Sequence, residues 1–125
     1  LQSLGQLLRQ GNLADDLLLV GTASYRGTVS ASRQWRGPVE RLPLPAAVQG
    51  SFDELLYRTG REVAYWLFDP ADRSSGPLAQ PRGQRAVGVV YEPEFDARDN
   101  YLTTLLPARY DALIFVTDST ALLQP

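Results

Sequence analysis

The stretch Asp16-Leu17-Leu18-Leu19-Val20-Gly21 decides the fold class of this chain. Four consecutive apolar residues between an acidic residue and a glycine are typical of a strand covered on both faces, as strands of parallel sheets are. Leucines at helical spacing precede it and a Gly-Asn pair ends their run, which predicts the tail of an amphipathic helix packed on that sheet. A helix followed by a buried strand predicts α/β architecture. The leucines are Leu1, Leu4, Leu7 and Leu8, and the pair is Gly11-Asn12.

Three more apolar runs, at residues 63–68, 85–91 and 112–116, predict the other strands of a mostly parallel or mixed sheet of about four strands. Residues 39–44 alternate weakly and two prolines lie in or beside them, so they are predicted as an edge strand or an extended connection. The aromatic side chains of the first run, which are predicted to lie in the core, are Tyr65, Trp66 and Phe68.

A flanking helix is predicted at residues 51–59 from its two ends. Ser51 can cap the amide of Glu54 while Glu54 reaches back to the amide of the cap, which is a capping box. Gly60 then supplies the left-handed residue that ends such a helix. Residues 70–84 are rich in proline and glycine and are predicted as a surface loop.

Composition restricts the chemistry that the chain can perform. Among 125 residues there is no histidine and no cysteine, and all 12 basic residues are arginine. Catalysis near neutral pH therefore lacks imidazole, thiolate and amine groups, and only carboxylates, hydroxyls and guanidinium groups are available. The net charge of −2 predicts neither a nucleic-acid nor a membrane partner. No apolar run approaches the roughly 20 residues of a membrane span, and without a signal peptide we expect the cytoplasm.

A hydroxyl-rich segment at residues 22–34 follows the first strand and is predicted to be a loop. Ligands of open α/β sheets bind beyond the carboxyl ends of strands, so this segment is a candidate for lining a pocket. It contains no phosphate-binding glycine motif. The alternative, that its Ser and Thr side chains only satisfy turn backbone, stays open.

Acidic pairs are the other candidates for a site. Asp15-Asp16 is predicted to lie in an exposed turn, and the carboxylates of residues 92–99 in a solvated loop without the spacing of a calcium site. The sequence therefore predicts no metal, no cofactor and no catalytic residue. A hydrolase that uses carboxylates alone would need two of them facing each other across a cleft, which spacing cannot establish.

Two stretches of the chain resemble the C-terminal part of the erythromycin esterase family of macrolide-inactivating hydrolases. The matching segments occur in the family's order over nearly the whole chain, although none is a chemical signature. In the first stretch they are residues 4–8, Asp16-Leu17-Leu18-Leu19-Val20-Gly21, Tyr25-Arg26-Gly27-Thr28-Val29-Ser30-Ala31 and Trp35-Arg36-Gly37-Pro38, and in the second residues 85–94, Tyr101 and residues 106–112 with the strand after them.

This resemblance implies the C-terminal part of an α/β/α sandwich in a considerably longer hydrolase. Members cleave an ester with histidine and glutamate residues of their N-terminal part and of a Trp-Ala-His-Asn-like stretch, which would lie upstream of Leu1. The chain opens without methionine, and we expect its true N-terminus elsewhere. The missing N-terminal part would be its partner, and a small-molecule ester the substrate of the complete enzyme. The resemblance makes Tyr25, Arg26 and Thr28 the expected substrate contacts.

Two interpretations of the whole chain follow. As the C-terminal segment of such a hydrolase, residues 1–125 form one domain that is inactive alone and exposes apolar surface. As a free-standing binding or interaction module derived from the same fold, the chain is monomeric and unfolds cooperatively.

Overall fold

The computed structural model describes residues 3–122, and in this range the chain alternates short helices with strands. The elements are α1 (Leu4–Arg9), β1 (Val20–Ser32), β2 (Val39–Leu44), α2 (Phe52–Tyr57), β3 (Val63–Leu67), β4 (Arg82–Arg85), α3 (Asp96–Asp99), β5 (Tyr101–Thr104), α4 (Leu106–Arg109) and β6 (Ala112–Ser119), with 3-10 turns at Ala14–Asp16, Pro70–Arg73 and Pro93–Phe95.

Four strands form one mixed sheet in the order β2-β1-β6-β3. The central strands β1 and β6 are parallel, from Val20 opposite Ala112 to Gly27 opposite Ser119, and both edge strands are antiparallel to their neighbours. The predicted α/β class with a mixed four-stranded sheet is confirmed, and so are the edge strand at β2 and the strand at β6. A second sheet pairs β4 with β5.

The core lies on the inner face of the four-stranded sheet, under α2. Phe52 and Leu56 of α2 pack against Leu113 and Phe115 of β6, and all four side chains are buried. These side chains are buried because β6 lies inside the sheet and α2 packs against it. The second buried cluster is formed by Ala31, Leu42, Leu44 and Tyr91.

The helix predicted at residues 51–59 is present as α2. The Ser51 hydroxyl accepts a hydrogen bond from the Glu54 amide at 3.2 Å, as predicted. The Glu54 carboxylate accepts from the Gly50 amide, one residue before the cap, so the capping box is displaced by one residue. Gly60 follows with φ of 76° and ends the helix.

The leucine run was predicted to be a strand covered on both faces, and this is wrong. Residues 17–19 precede β1, and the Leu19 amide donates to the Asp111 carboxylate at 2.7 Å. Leu18 and Val20 are exposed because the outer face of the sheet is uncovered within residues 3–122. The helix before the run is confirmed as α1, but it buries no residue, so its predicted packing on the sheet is wrong. Leu1 lies outside the described residues.

The hydroxyl-rich segment at residues 22–34 was predicted to be a loop and is strand through Ser32. It forms the middle of the sheet because its backbone pairs with β6 on one side and β2 on the other. Its hydroxyls at Thr22 and Ser24 alternate with Ala23 and Tyr25, which pack against the core on the inner face.

Two more strand predictions need correction. β3 was predicted to be buried, yet it is an edge strand, and Tyr65, predicted in the core, is 73% exposed on the outer face. The strand predicted at residues 85–91 ends at Arg85, and beyond it only Val90 forms a bridge, to Ser32. An apolar run extends as a strand only where a partner strand lies beside it. The predicted loop at residues 70–84 contains a 3-10 turn and the start of β4.

Candidate functional site

A cleft of about 420 Å³ extends along the parallel strands β1 and β6 and past the carboxyl end of β6. Thr22, Ser24 and Thr28 of β1 line it from one side, and the chain at Ser119 and beyond from another. Asp53 of α2 and Arg85 of β4 complete its lining. The part of the cleft beyond the carboxyl end of β6 is at the position where open α/β sheets bind their ligands, because strand ends and the following segments diverge there.

Gly27 allows the two parallel strands to meet beside the cleft. Its φ is 138°, in the region that side chains other than glycine rarely adopt. A Cβ at this position would overlap the backbone of Ser119, which pairs with Gly27 in the sheet. The close approach places Thr28 next to the end of β6, where its hydroxyl accepts from the Ala121 amide at 2.9 Å.

A buried guanidinium holds the inner wall of the cleft together. The Arg85 side chain is 4% exposed and forms an ion pair with Asp96, itself 3% exposed, at 3.2 Å. Arg85 Nη1 donates to the Tyr25 carbonyl at 3.2 Å and Nη2 to the Pro45 carbonyl at 2.7 Å. The guanidinium therefore links β1, the segment after β2 and α3. Arg85 Nε is buried and has no hydrogen-bond partner among the described residues.

Two buried carboxyls contact Arg85, one at its backbone amide and one at its guanidinium. Asp53 Oδ2 accepts from the Arg85 amide at 2.9 Å, and Asp96 Oδ1 accepts from the Tyr91 hydroxyl at 2.8 Å. Burial raises the pKa of Asp53 above its ordinary value, and the hydrogen bond from the Arg85 backbone offsets part of this. Burial, followed by the hydrogen bond to Asp96, also raises the pKa of Tyr91. A carboxyl in a cleft that holds its proton more tightly than usual is a candidate for contact with a ligand.

The three residues expected to contact substrate lie near each other, but they face different surroundings. Thr28 lines the cleft. The Tyr25 ring stacks on the Tyr57 ring with 3.7 Å between centroids, and the Arg26 guanidinium pairs with Asp118 at 2.7 Å. Tyr25 contributes its carbonyl to Arg85 and not its ring to the cleft. Their role as substrate contacts stays a prediction.

Asp53 and Arg85 were missed as site residues in the sequence. In the sequence, Asp53 is part of the predicted start of a helix, and Arg85 begins a predicted strand. They are 32 residues apart along the chain, and no local pattern connects them. The prediction that the carboxylates of residues 92–99 are solvated is wrong for Asp96, which is buried between Arg85 and Tyr91. Glu92, Glu94 and Asp99 of the same segment are exposed, and nothing in the sequence distinguishes Asp96 from them.

Residues 3–122 contain no helix that is both long and apolar enough to cross a membrane. In the same range, no three or more Asp or Glu side chains come close enough together to hold a metal ion.

The architecture defines an α/β protein with a mixed sheet, and the comparisons with known proteins give its family. The family model described as erythromycin esterase matches residues 2–119. The chain therefore belongs to the erythromycin esterase family, as the resemblance of its segments implied.

Two solved structures share the fold. A succinoglycan biosynthesis protein is 17% identical, with a TM-score of 0.71 over 95% of this chain and 28% of that one. A protein from Bacillus cereus is 13% identical, with a TM-score of 0.64 over 82% of this chain and 25% of that one. The chain thus spans about a quarter of the length of either protein.

Proposed function

We propose that this chain is the C-terminal scaffold and pocket-wall segment of an erythromycin-esterase-like hydrolase that acts on ester bonds of the macrolide-lactone type. The observation that carries the proposal is the family match over residues 2–119 in a chain without histidine. The scaffold of the family is present, whereas the imidazole that activates water or a hydroxyl near neutral pH is not. On this proposal the chain has no esterase activity alone.

The outer face of the sheet supports the presence of a covering part. Val63, Tyr65 and Leu67 of β3 are each exposed by more than two thirds, and Tyr65 lies opposite Ile114, which is also exposed. A contiguous apolar surface of this kind marks a place where another layer packs. The relatives of known structure are more than three times as long, so the remainder of the same protein is the proposed cover.

The same face runs directly into the cleft. Val116 of β6 lies between Val63 of β3 and Ser24 of β1, and both Val116 and Ser24 line the cleft. A layer that covers the apolar part of the face would therefore also reach the open side of the cleft. This arrangement supports the role of the chain as one pocket wall, with the catalytic groups supplied by the covering part.

The first experiment determines the size of the natural protein. An antibody raised against residues 1–125 is used on extracts of the source cells, and the proposal expects a band several times heavier than 13.8 kDa. A band at 13.8 kDa would favour the free-standing module. A cytoplasmic location belongs to the proposal, and cell fractionation with the same antibody tests it.

The second experiment measures hydrolysis. Erythromycin and an aryl ester are incubated with the natural protein and, separately, with purified residues 1–125, and the gain of one water is followed by mass spectrometry. We expect turnover by the natural protein and none above background by residues 1–125. Turnover by residues 1–125, or none by the natural protein, would contradict the proposal.

A further inference from the structure

The polar groups that line the cleft are mostly hydroxyls, with few charged side chains. Asp53 and Arg85 are the charged side chains among the described residues that line it. The other polar groups are hydroxyls, and apolar side chains such as Val87 and Val116 separate them. The hydroxyl side chains of the lining are Thr22, Ser24, Thr28, Ser30, Ser119 and Thr120.

Arg85 has one donor left over for a ligand. Its two terminal nitrogens already donate to protein carbonyls, and Nη2 also pairs with Asp96. Nε is buried and lacks a partner among the described residues, although a buried donor without an acceptor is costly. An acceptor oxygen from a ligand in the cleft, which Arg85 lines, would remove this cost.

Asp53 offers the complementary group. One oxygen accepts from the Arg85 amide, and a carboxylate has further lone pairs for additional donors. Among the described residues no side chain donates to Asp53. Ligand hydroxyls are suitable donors because they are neutral and compact. Thr22 and Ser24, whose hydroxyls form no hydrogen bond within residues 3–122, can add further contacts.

The charge balance argues against an ionic ligand. Arg85 is already neutralised by Asp96, and Asp53, which accepts from the Arg85 amide, adds a second carboxyl. The cluster thus carries a net negative charge when Asp53 is ionised and none when it is protonated. An anion would meet no excess of positive charge, and a cation would have to approach beside the buried guanidinium. A neutral ligand avoids both costs.

We infer that this cleft is a binding subsite for a neutral polyhydroxylated group, which donates a hydroxyl to Asp53 and accepts a hydrogen bond from Arg85 Nε. The inference rests on the proposed function in one respect, since the group would then belong to the ester substrate. The hydroxyls of β1 bind its remaining oxygens, and Val87 and Val116 contact its C–H surface.

The test uses three small probes on residues 1–125: myo-inositol as a neutral polyol, inorganic phosphate as an anion and tetramethylammonium as a cation. Binding is followed by amide chemical shifts and by the Arg85 Nε–H resonance, which moves when that group gains an acceptor. We expect myo-inositol to shift this resonance together with the amides of Ser24 and Asp53, and the two ions to leave them unchanged.

Substitutions show which side chains of the cleft bind myo-inositol. Asp53→Asn keeps the size of the side chain and an acceptor for the Arg85 amide, and it should weaken myo-inositol binding about tenfold. Thr22→Val keeps the shape of an outward-facing residue and should weaken myo-inositol binding about threefold. It provides an independent test of the subsite if Asp53→Asn unfolds. Asp15→Asn removes a charge at an exposed turn and is the matched control, with binding unchanged.

Preferred binding of phosphate or tetramethylammonium, no shift of the cleft resonances with any probe, or equal effects of Asp53→Asn and Asp15→Asn would overturn the inference. Its failure is distinguishable from that of the proposed function. If the natural protein hydrolyses esters and myo-inositol leaves the cleft unchanged, only the subsite is wrong. If myo-inositol binds and the natural protein hydrolyses nothing, the cleft remains a polyol site and the esterase role is wrong.

Discussion

Replacing Arg85 with methionine should destabilise the chain by about 4 kcal/mol, because it removes one partner of a buried ion pair. The substitution keeps an unbranched apolar stem but deletes the donors to the carbonyls of Tyr25 and Pro45. It also leaves the carboxylate of Asp96, which is 3% exposed, with the hydroxyl of Tyr91 as its remaining partner. The loss is a large fraction of the 5–15 kcal/mol that typically stabilises a domain.

The chain provides a matched control in Arg98→Met. Arg98 pairs with Asp99 at 2.7 Å, a shorter distance than the 3.2 Å between Arg85 and Asp96. The Arg98 side chain is nevertheless 68% exposed, and water replaces its partner when it is removed. We therefore expect no measurable change in the free energy of unfolding from this variant. The comparison tests whether burial, and not distance, decides the contribution of an ion pair.

Urea unfolding followed by circular dichroism measures both variants, and the slope of free energy against urea shows whether the unfolding remains two-state. The double variant Arg85→Met, Asp96→Asn should cost less than the sum of its single variants by at least about 1 kcal/mol, since it leaves no unpaired buried charge. A loss for Arg85→Met no larger than that for Arg98→Met would refute the reasoning, and so would strict additivity in the double variant.

Three further predictions concern backbone, protonation and surface. Gly27→Ala should destabilise by about 2–4 kcal/mol in urea unfolding, because its Cβ would overlap neighbouring backbone, whereas Gly60→Ala, at φ of 76° with open space around it, should cost about 1 kcal/mol. The folded state raises the pKa of Asp53, so it favours the protonated carboxyl. The stability that the protonated carboxyl provides is complete below its ordinary pKa of 3.8 and is lost as pH rises through its pKa in the folded state. Asp53→Asn should therefore become more stable relative to the original chain as pH rises. The two free energies of unfolding are compared between pH 3 and 7, a range that spans the ordinary carboxyl pKa of roughly 4. A constant difference between them would contradict the prediction. Tyr65→Thr with Leu67→Thr should reduce self-association of residues 1–125 in sedimentation velocity while the unfolding midpoint changes little, and unaltered association would show that the outer face is not the contact surface.

Local signals in the sequence were sufficient for several elements. Ser51, Glu54 and Gly60 mark both ends of α2 because caps and left-handed stops depend on residues within one helical turn. The apolar run in β6 identified a strand, since its consecutive β-branched and aromatic side chains favour extended backbone. The prolines beside β2 correctly excluded it from the centre of the sheet.

Strand partners, burial and the site depended on the whole fold. The hydroxyl-rich segment became β1 because β2 and β6 satisfy its backbone, although its alternation of Thr22 and Ser24 with Ala23 and Tyr25 was visible beforehand. Burial of an apolar run depends on what covers each face.

The sequence by itself determined the α/β class, the positions of α2 and β6, and the absence of imidazole and thiolate chemistry. These properties follow from residue types and from contacts between residues close along the chain. Only the tertiary structure decided that Arg85 lies between Asp53 and Asp96 and lines the cleft beside β1. Those residues come from α2, β4 and α3, and a buried charge finds its partners through packing between elements and not through spacing in the sequence.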